Sequence, residues 1–281
     1  MYPDAGTIYL HFQHLYISIL MVQKLFSIYF TPDETNALFI EIGHHHIACW
    51  CTGDKQSLQA FEYFTFHTTD EHEDFEKVYK VAKLHSVLLN NEFAATEVIW
   101  ETTPFTCVPN ALFKPEVLDD YINMLDKSPF TKALSCTQRD ITVAYPVKED
   151  ALRLVQHHFP KATASHKICQ LSKELSGNAV TALHTIFYHH HFLLLAVKDN
   201  ALQLATSIAY QSSQDCLYYI LYTMQQLNLP LNETVVLVSG FIDMNSALYK
   251  ELYQYIPLLQ PAEKGMLKDE YPAHYFTTFY K

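Results

Sequence analysis

A repeated hairpin constrains this chain more than any other feature. Residues 38–66 read LFIEIGHHHIACWCTGDKQSLQAFEYFTF. An apolar strand runs into His44-His45-His46, a second apolar strand comes after it, an Asp-bearing turn comes next, and Leu58-Gln59 opens a third strand. Residues 183–210, LHTIFYHHHFLLLAVKDNALQLATSIAY, repeat that order through His189-His190-His191, Asp199 and Leu202-Gln203. One residue is lost between triplet and Leu-Gln in the second copy, which places the loss in the turn. Few letters are shared, so the order of elements carries the repeat, and self-similarity of this kind predicts a duplicated domain.

The segments after each copy are also alike. The spacing of Phe75, Val78, Val81, Ala82, Leu84 and Val87 predicts a helix within 70–90. The acidic cluster Asp70, Glu71, Glu73, Asp74 would sit at its positive end. Strands are predicted at 96–101 and 105–108, a helix from the Pro109 to Pro115 region through Leu125, and an alternating strand over 139–145 closed by Pro146. Helices are expected at 148–158 and 165–175, and Gly177-Asn178 marks a border. The second meander, 180–210, leads into a helix over 212–228, capped by Ser212 or Ser213 with Asp215 in its first turn. An apolar strand at 234–239 suits a parallel part of a sheet. A helix over 245–255 is next, and the tail HYFTTFYK reads as a last strand. The division is therefore 1–20 as an extension, 21–176 as one domain and 177–281 as the other. Antiparallel meanders followed by alternating helices and strands give an α/β protein with mixed sheets flanked by helices. Two such halves side by side would leave a cleft between them.

Charge and cysteine narrow the setting. Nineteen Lys and Arg against 30 Asp and Glu give a net charge of −11, which argues against nucleic acid or an anionic membrane as partner, since both require a basic footprint. The six cysteines, Cys49, Cys51, Cys107, Cys136, Cys169 and Cys216, mostly lie in apolar segments of a chain too large to need staples, so they read as reduced thiols of a cytoplasmic protein. Cys49 and Cys51 share a strand face, but no second CxC or CxxC completes a tetrahedral metal set, which favours buried small side chains. The apolar run 15–30 is broken by Gln23 and Lys24, has no Lys or Arg before it, and is too short to span a membrane. Its β-branched and aromatic residues predict an edge strand. Met21 is a candidate translation start.

Several side chains invite chemistry. The histidine triplets would hold a divalent metal only if they converged, and neighbouring strand residues point to opposite faces, so at most His44 and His46 (or His189 and His191) share one. Surface turns explain them better, and no metal site is assigned. Glu41 shares a face with Phe39 and Gly43 and would serve as a general base, a metal ligand or simply a sheet-end residue. His184 reads as a core residue, and Tyr218, Tyr219 and Tyr222 as helix packing or an interface. No nucleophile elbow is present, and no catalytic residue is assigned.

Three stretches carry a resemblance: TCVPNALF at 106–113, DCLYYILY at 215–222, and VVLVSG at 235–240 with its helix through Ile256. They and the element order resemble the actin-like ATPase superfold, built from two duplicated ribonuclease-H-like domains. The closer likeness is to a bacterial domain-of-unknown-function family whose members look like the type IV pilus assembly protein PilM. The resemblance implies ATP and Mg²⁺ at Asp-x-Gly and Gly-rich loops between the domains. Here Glu41-Ile42-Gly43 stands for Asp-x-Gly, followed by three bulky histidines; residues 180–191 hold neither Asp nor Gly; and Gly240-Phe241 replaces Gly-Gly. Phosphate loops use glycine so that backbone can approach the ligand. Glu41, Gly43, Gly240 and Phe241 are thus expected to be vestiges of nucleotide loops. The expected function is a non-catalytic protein- or peptide-binding module with no cofactor, a homodimer being one arrangement open to it. The alternative is a divergent ATP-binding switch or kinase-like enzyme.

Overall fold

A computed structural model describes residues 22–29, 37–53, 58–66, 75–128, 131–175, 181–262 and 273–279. Its contacts divide the chain into two units. The first holds Met1–Thr102, Ser128–Lys132 and Val147–Ser165, and the second Thr103–Lys127, Ala133–Pro146 and His166–Lys281. The expected border at Gly177-Asn178 and the extension before Met21 lie outside the described residues.

In the first unit β2 (Ala37–Gly43), β3 (His46–Thr52) and β4 (Leu58–Phe66) form the meander. The edge strand expected from residues 15–30 is β1 (Val22–Tyr29), antiparallel to β4. Helix α1 (Phe75–His85) comes next; its first amide, Phe75 N–H, donates to Asp150 Oδ2 at 2.9 Å. Strand β5 (Ala95–Glu101) runs parallel to β2, and the sheet order is β1-β4-β3-β2-β5-β9, with β9 at Thr163–His166. Trp50, Phe61, Tyr63, Phe64 and Trp100 are buried across it. Strand β4 is buried almost throughout because β1 covers its outer side.

The second unit repeats the meander with β10 (Ala182–Phe187), β11 (His191–Lys198) and β12 (Ala201–Ala209). Helix α5 (Ser213–Gln226) opens on a full capping box between Ser212 and Asp215. Strand β13 (Val235–Gly240) lies parallel to both β10 and β14 (Leu259–Pro261), as its unbroken apolar sequence predicts. The order is β12-β11-β10-β13-β14. Its core joins Phe187, Phe192, Leu194, Ile220, Val236 and Leu252, the last from α6 (Ala247–Tyr255).

The repeat extends to fine detail. The two triplets sit at matching turns: His44 and His45 lie between β2 and β3, His189 and His190 between β10 and β11, and His46 and His191 open the next strand. Phe66 N–H donates to His45 O, and Tyr210 N–H to His190 O. In β4 the register skips Gln59, and in β12 it skips Gln203. Both Leu-Gln pairs therefore mark the same β-bulge.

A third sheet, β6-β8-β7, is made by β6 (Thr106–Pro109), β7 (Thr131–Gln138) and β8 (Ile141–Lys148). Pro146 does not close β8 as expected. It lies beyond the residues that β6 pairs, where a missing N–H breaks no bond of that ladder. Between β6 and β7 the expected helix is α2 (Leu118–Asn123) after a 3₁₀ turn at Pro115–Val117, and α3 (Glu149–His158) comes after β8. The helix expected at 165–175 is α4 (Lys167–Leu175), preceded by the unexpected strand β9. The tail is not a strand. It forms α7 (Ala273–Phe276) and a 3₁₀ turn, so that Phe276 and Phe279, three apart, are both buried. The acidic cluster 70–74 lies outside the described residues.

The cysteine reading needs one correction. Cys136 on β7 and Cys169 on α4 are joined as a disulfide, because the fold brings two residues far apart in sequence side by side. Cys49, Cys51 and Cys216 are buried free thiols, as expected, and burial pushes Cys51 up to about 11 and Cys216 to about 12.

Candidate functional site

Parallel pairing of β2 with β5 sets Gly43 opposite Glu101 and Glu41 opposite Ile99. Antiparallel pairing sets Ala48 between Glu41 on one side and Tyr63 on the other. One face of the sheet, at the carboxyl ends of β2 and β5, thus carries Glu41, His46, Tyr63 and Glu101 around Gly43. All four side chains are buried. Small Ala48 leaves room for the larger groups to meet across it.

His46 organises the cluster. Its Nε2 lies 3.0 Å from Glu41 Oε1, an ion pair whenever the ring is protonated. Its ring stacks on Tyr63 with centroids 5.3 Å apart. A Cβ placed on Gly43 would overlap His46 Cε1 and come within 3.0 Å of Glu101 Oε2. The imidazole therefore occupies the space that a glycine would open, and Glu101 borders the same space. Burial, then the charges of Glu41 and Glu101, push the Tyr63 phenol well above its ordinary value. These residues do not fit a phosphate: the approach to the Gly43 backbone is filled, and two carboxylates surround it.

Gly240 and Phe241, the other expected pair, lie in the second unit. Gly240 has φ +78°, and a Cβ there would overlap Phe187 O. Phe241 N–H donates to that same oxygen at 2.8 Å. Internal packing of β13 on β10 thus accounts for this glycine, and the Phe241 amide is already used. Phe241 packs edge-on to Tyr275 at 6.2 Å.

The remaining expectations divide. His44, His45, His189 and His190 are exposed at the turns, while His191 stacks on Tyr188 at 4.8 Å. Among the described residues no three His, Cys, Asp or Glu side chains group as metal ligands. His184 is half-buried in β10. Tyr218, Tyr219 and Tyr222, read as helix packing or an interface, are 59%, 39% and 46% exposed on α5, with the Tyr218 ring packed against those of Tyr219 and Tyr222. Sequence reasoning missed His46 as the group over Gly43, and Glu101 as its neighbour. Glu101 ends the strand expected at 96–101, but only the β2–β5 register brings it to Gly43.

Two units, each with an antiparallel meander, a helix and parallel strands whose hairpin turns lie at the carboxyl end, define the actin-like ATPase fold. The chain resembles a Bacteroides thetaiotaomicron protein of actin-like ATPase fold and unknown function, with a TM-score of 0.69 at 15% identity over 80% of this chain and 90% of that one. It also resembles a chain of the PilM–PilN type IV pilus biogenesis complex, with a TM-score of 0.56 at 10% identity over 88% and 97%. The protein belongs to the family described as protein of unknown function DUF3822, which it matches over residues 27–259. Among curated protein sequences, none matches the chain. Likeness at these identities defines fold, not activity. Among the described residues no helix is long and apolar enough to cross a membrane.

Proposed function

We propose that this is a non-catalytic actin-like-fold module that binds another protein, its nucleotide loops having been turned over to internal packing. One observation carries the reading: the His46 imidazole lies over Gly43 with its Nε2 on the Glu41 carboxylate, and the Glu101 carboxylate borders the same space. A phosphate there would meet like charge and an occupied cradle. Gly240, held against Phe187 O, supports the same reading. PilM, of similar fold, is named in a complex with PilN, which supports a protein as ligand.

The test is a thermal-shift titration with ATP and Mg²⁺. A ligand at 100 times its Kd adds about 2.7 kcal/mol, and for a chain of this size each kcal/mol moves the midpoint by about 2–4 °C. No movement is expected at millimolar nucleotide. A shift of several degrees that is lost in Glu41→Ala would overturn the reading and establish the nucleotide switch instead.

A further inference from the structure

The repeats treat the same sheet edge differently. In the first, β1 lies antiparallel outside β4, from Val22 opposite Phe66 to Tyr29 opposite Ala60. In the second, the counterpart strand β12 ends the sheet, with β11 as its hydrogen-bonded neighbour among the described residues. An edge leaves a row of N–H and C=O groups open to pairing, and proteins commonly blunt it with charge or proline. β12, ALQLATSIA, has neither, and Ala201, Gln203 and Ala209 are exposed along it.

We propose that the β12 edge is a strand-addition site for an extended, uncharged segment of another protein. The segment runs antiparallel to residues 204–210 and seats one bulky apolar side chain over Ala205 and Ser207. The assignment rests on the reading of the chain as a protein-binding module.

The chemistry of the occupant is set by the groups that the second repeat has lost. β1 is held to β4 by Phe26, whose ring stacks on Phe61 at 5.5 Å and Tyr63 at 5.9 Å. It is held also by Lys24 and Tyr29, which both bind the Glu62 carboxylate. The repeat places Ala205 at Phe61, Ser207 at Tyr63 and Thr206 at Glu62. With the aromatic rings gone, Ala205, Thr206 and Ser207 line a cavity of about 320 Å³, bounded on its other side by Thr103, Pro104 and Phe105. With the carboxylate gone, nothing on β12 selects a basic side chain. The space calls for a large apolar group, and main-chain pairing supplies the rest of the recognition. A second copy of β12 fits poorly: paired antiparallel about Ala205, it would bring only Ala205, Ser207 and Gln203 to the cavity.

The experiment uses the full chain and a fluorescein-labelled peptide, Thr-Val-Ser-Phe-Thr-Val-Ser-Thr, followed by anisotropy and backbone amide exchange. Saturable binding is expected, with slowed exchange confined to β12. Replacing the peptide's Phe by Ala should weaken binding at least tenfold. So should Ala205→Phe, which puts the first repeat's side chain into the cavity. The peptide comparison holds whether or not that variant folds. Absence of saturable binding, or full protection of the outward β12 amides in the free protein, overturns the proposal. So does a dimer in which Ala205→Cys cross-links to itself, since the edge would then belong to a second copy. If the peptide fails and ATP also leaves the midpoint unmoved, only this surface is lost. An ATP shift would remove the interaction reading itself.

Discussion

At the first hairpin turn one unit buries Glu41, His46 and Tyr63 around Gly43; at the same turn the other places Ile186, His191, Ser207 and Tyr188. The main-chain pattern is otherwise the same, down to the bulges at Gln59 and Gln203. The second unit thus folds its sheet with no buried carboxylate at this place, which means the sheet does not need one. Burying charges costs solvation that a pair recovers only in good geometry. The first unit carries a costly cluster that its own repeat shows to be dispensable for architecture.

The largest effect should separate the two glycines. Gly240→Ala forces a side chain into positive φ and against backbone oxygen. It should cost about 4 kcal/mol or more by denaturant unfolding, in the range kept for severe core defects. Gly43→Ala meets a side chain, which gives way, and should cost about 1–3 kcal/mol. Equal losses would break the distinction between packed backbone and filled cradle.

Next come the matched histidines. His46→Ala removes the imidazole partner of buried Glu41 and should cost about 3–5 kcal/mol. His191→Ala, a half-buried ring on Tyr188, should cost about 1 kcal/mol. Similar values for both would mean that the cluster is not what sets the units apart.

A third effect, smaller than the loss of Gly240 or His46, sharpens the comparison through pH. Burial pushes the Glu62 carboxyl up, but hydrogen bonds from Ser86, Tyr29, the Val87 amide and Lys24 outweigh it and hold the group below its ordinary value of 4.5. A depressed carboxylate contributes stability that is fully present above the unfolded value and lost as pH falls through the folded one. Glu62→Gln should therefore cost about 1.5–3 kcal/mol at pH 6, on the scale of hydrogen bonds to a charged group. That difference should shrink below pH 4.5. A difference independent of pH would show that charge plays no part.

What was legible in the sequence was local. The triplets and the Leu-Gln pairs located both meanders, Ser212 or Ser213 with Asp215 gave the cap of α5, which the structure assigns to Ser212, and the apolar run at 234–239 gave a parallel strand, because each signal lies within a few residues. The cluster around Gly43 was half legible. Glu41 and Gly43 stood out, but Glu101 reaches them through the register between β2 and β5, which nothing near either strand encodes. The Cys136–Cys169 bridge failed for the same reason. Pro146 misled because its usual effect depends on a ladder that, on the β6 side, has already ended. The tail was misread because aromatic residues favour strands in isolation, whereas Phe276 and Phe279 are buried as a helical pair.

The two units are interleaved along the chain, and this bears on how the protein is made. By the time synthesis reaches Ser165 and completes the first unit, residues 103–127 and 133–146 have already emerged, although they belong to the second. Ile122, Val143 and Tyr145, all buried in the folded protein, lie in these stretches, and His166, whose ring packs on Tyr145, is made only afterwards. Domains that fold in turn as they leave the ribosome pass through few such states. This chain must hold part of one unit in waiting while the other closes, and that interval is where a chaperone would find it.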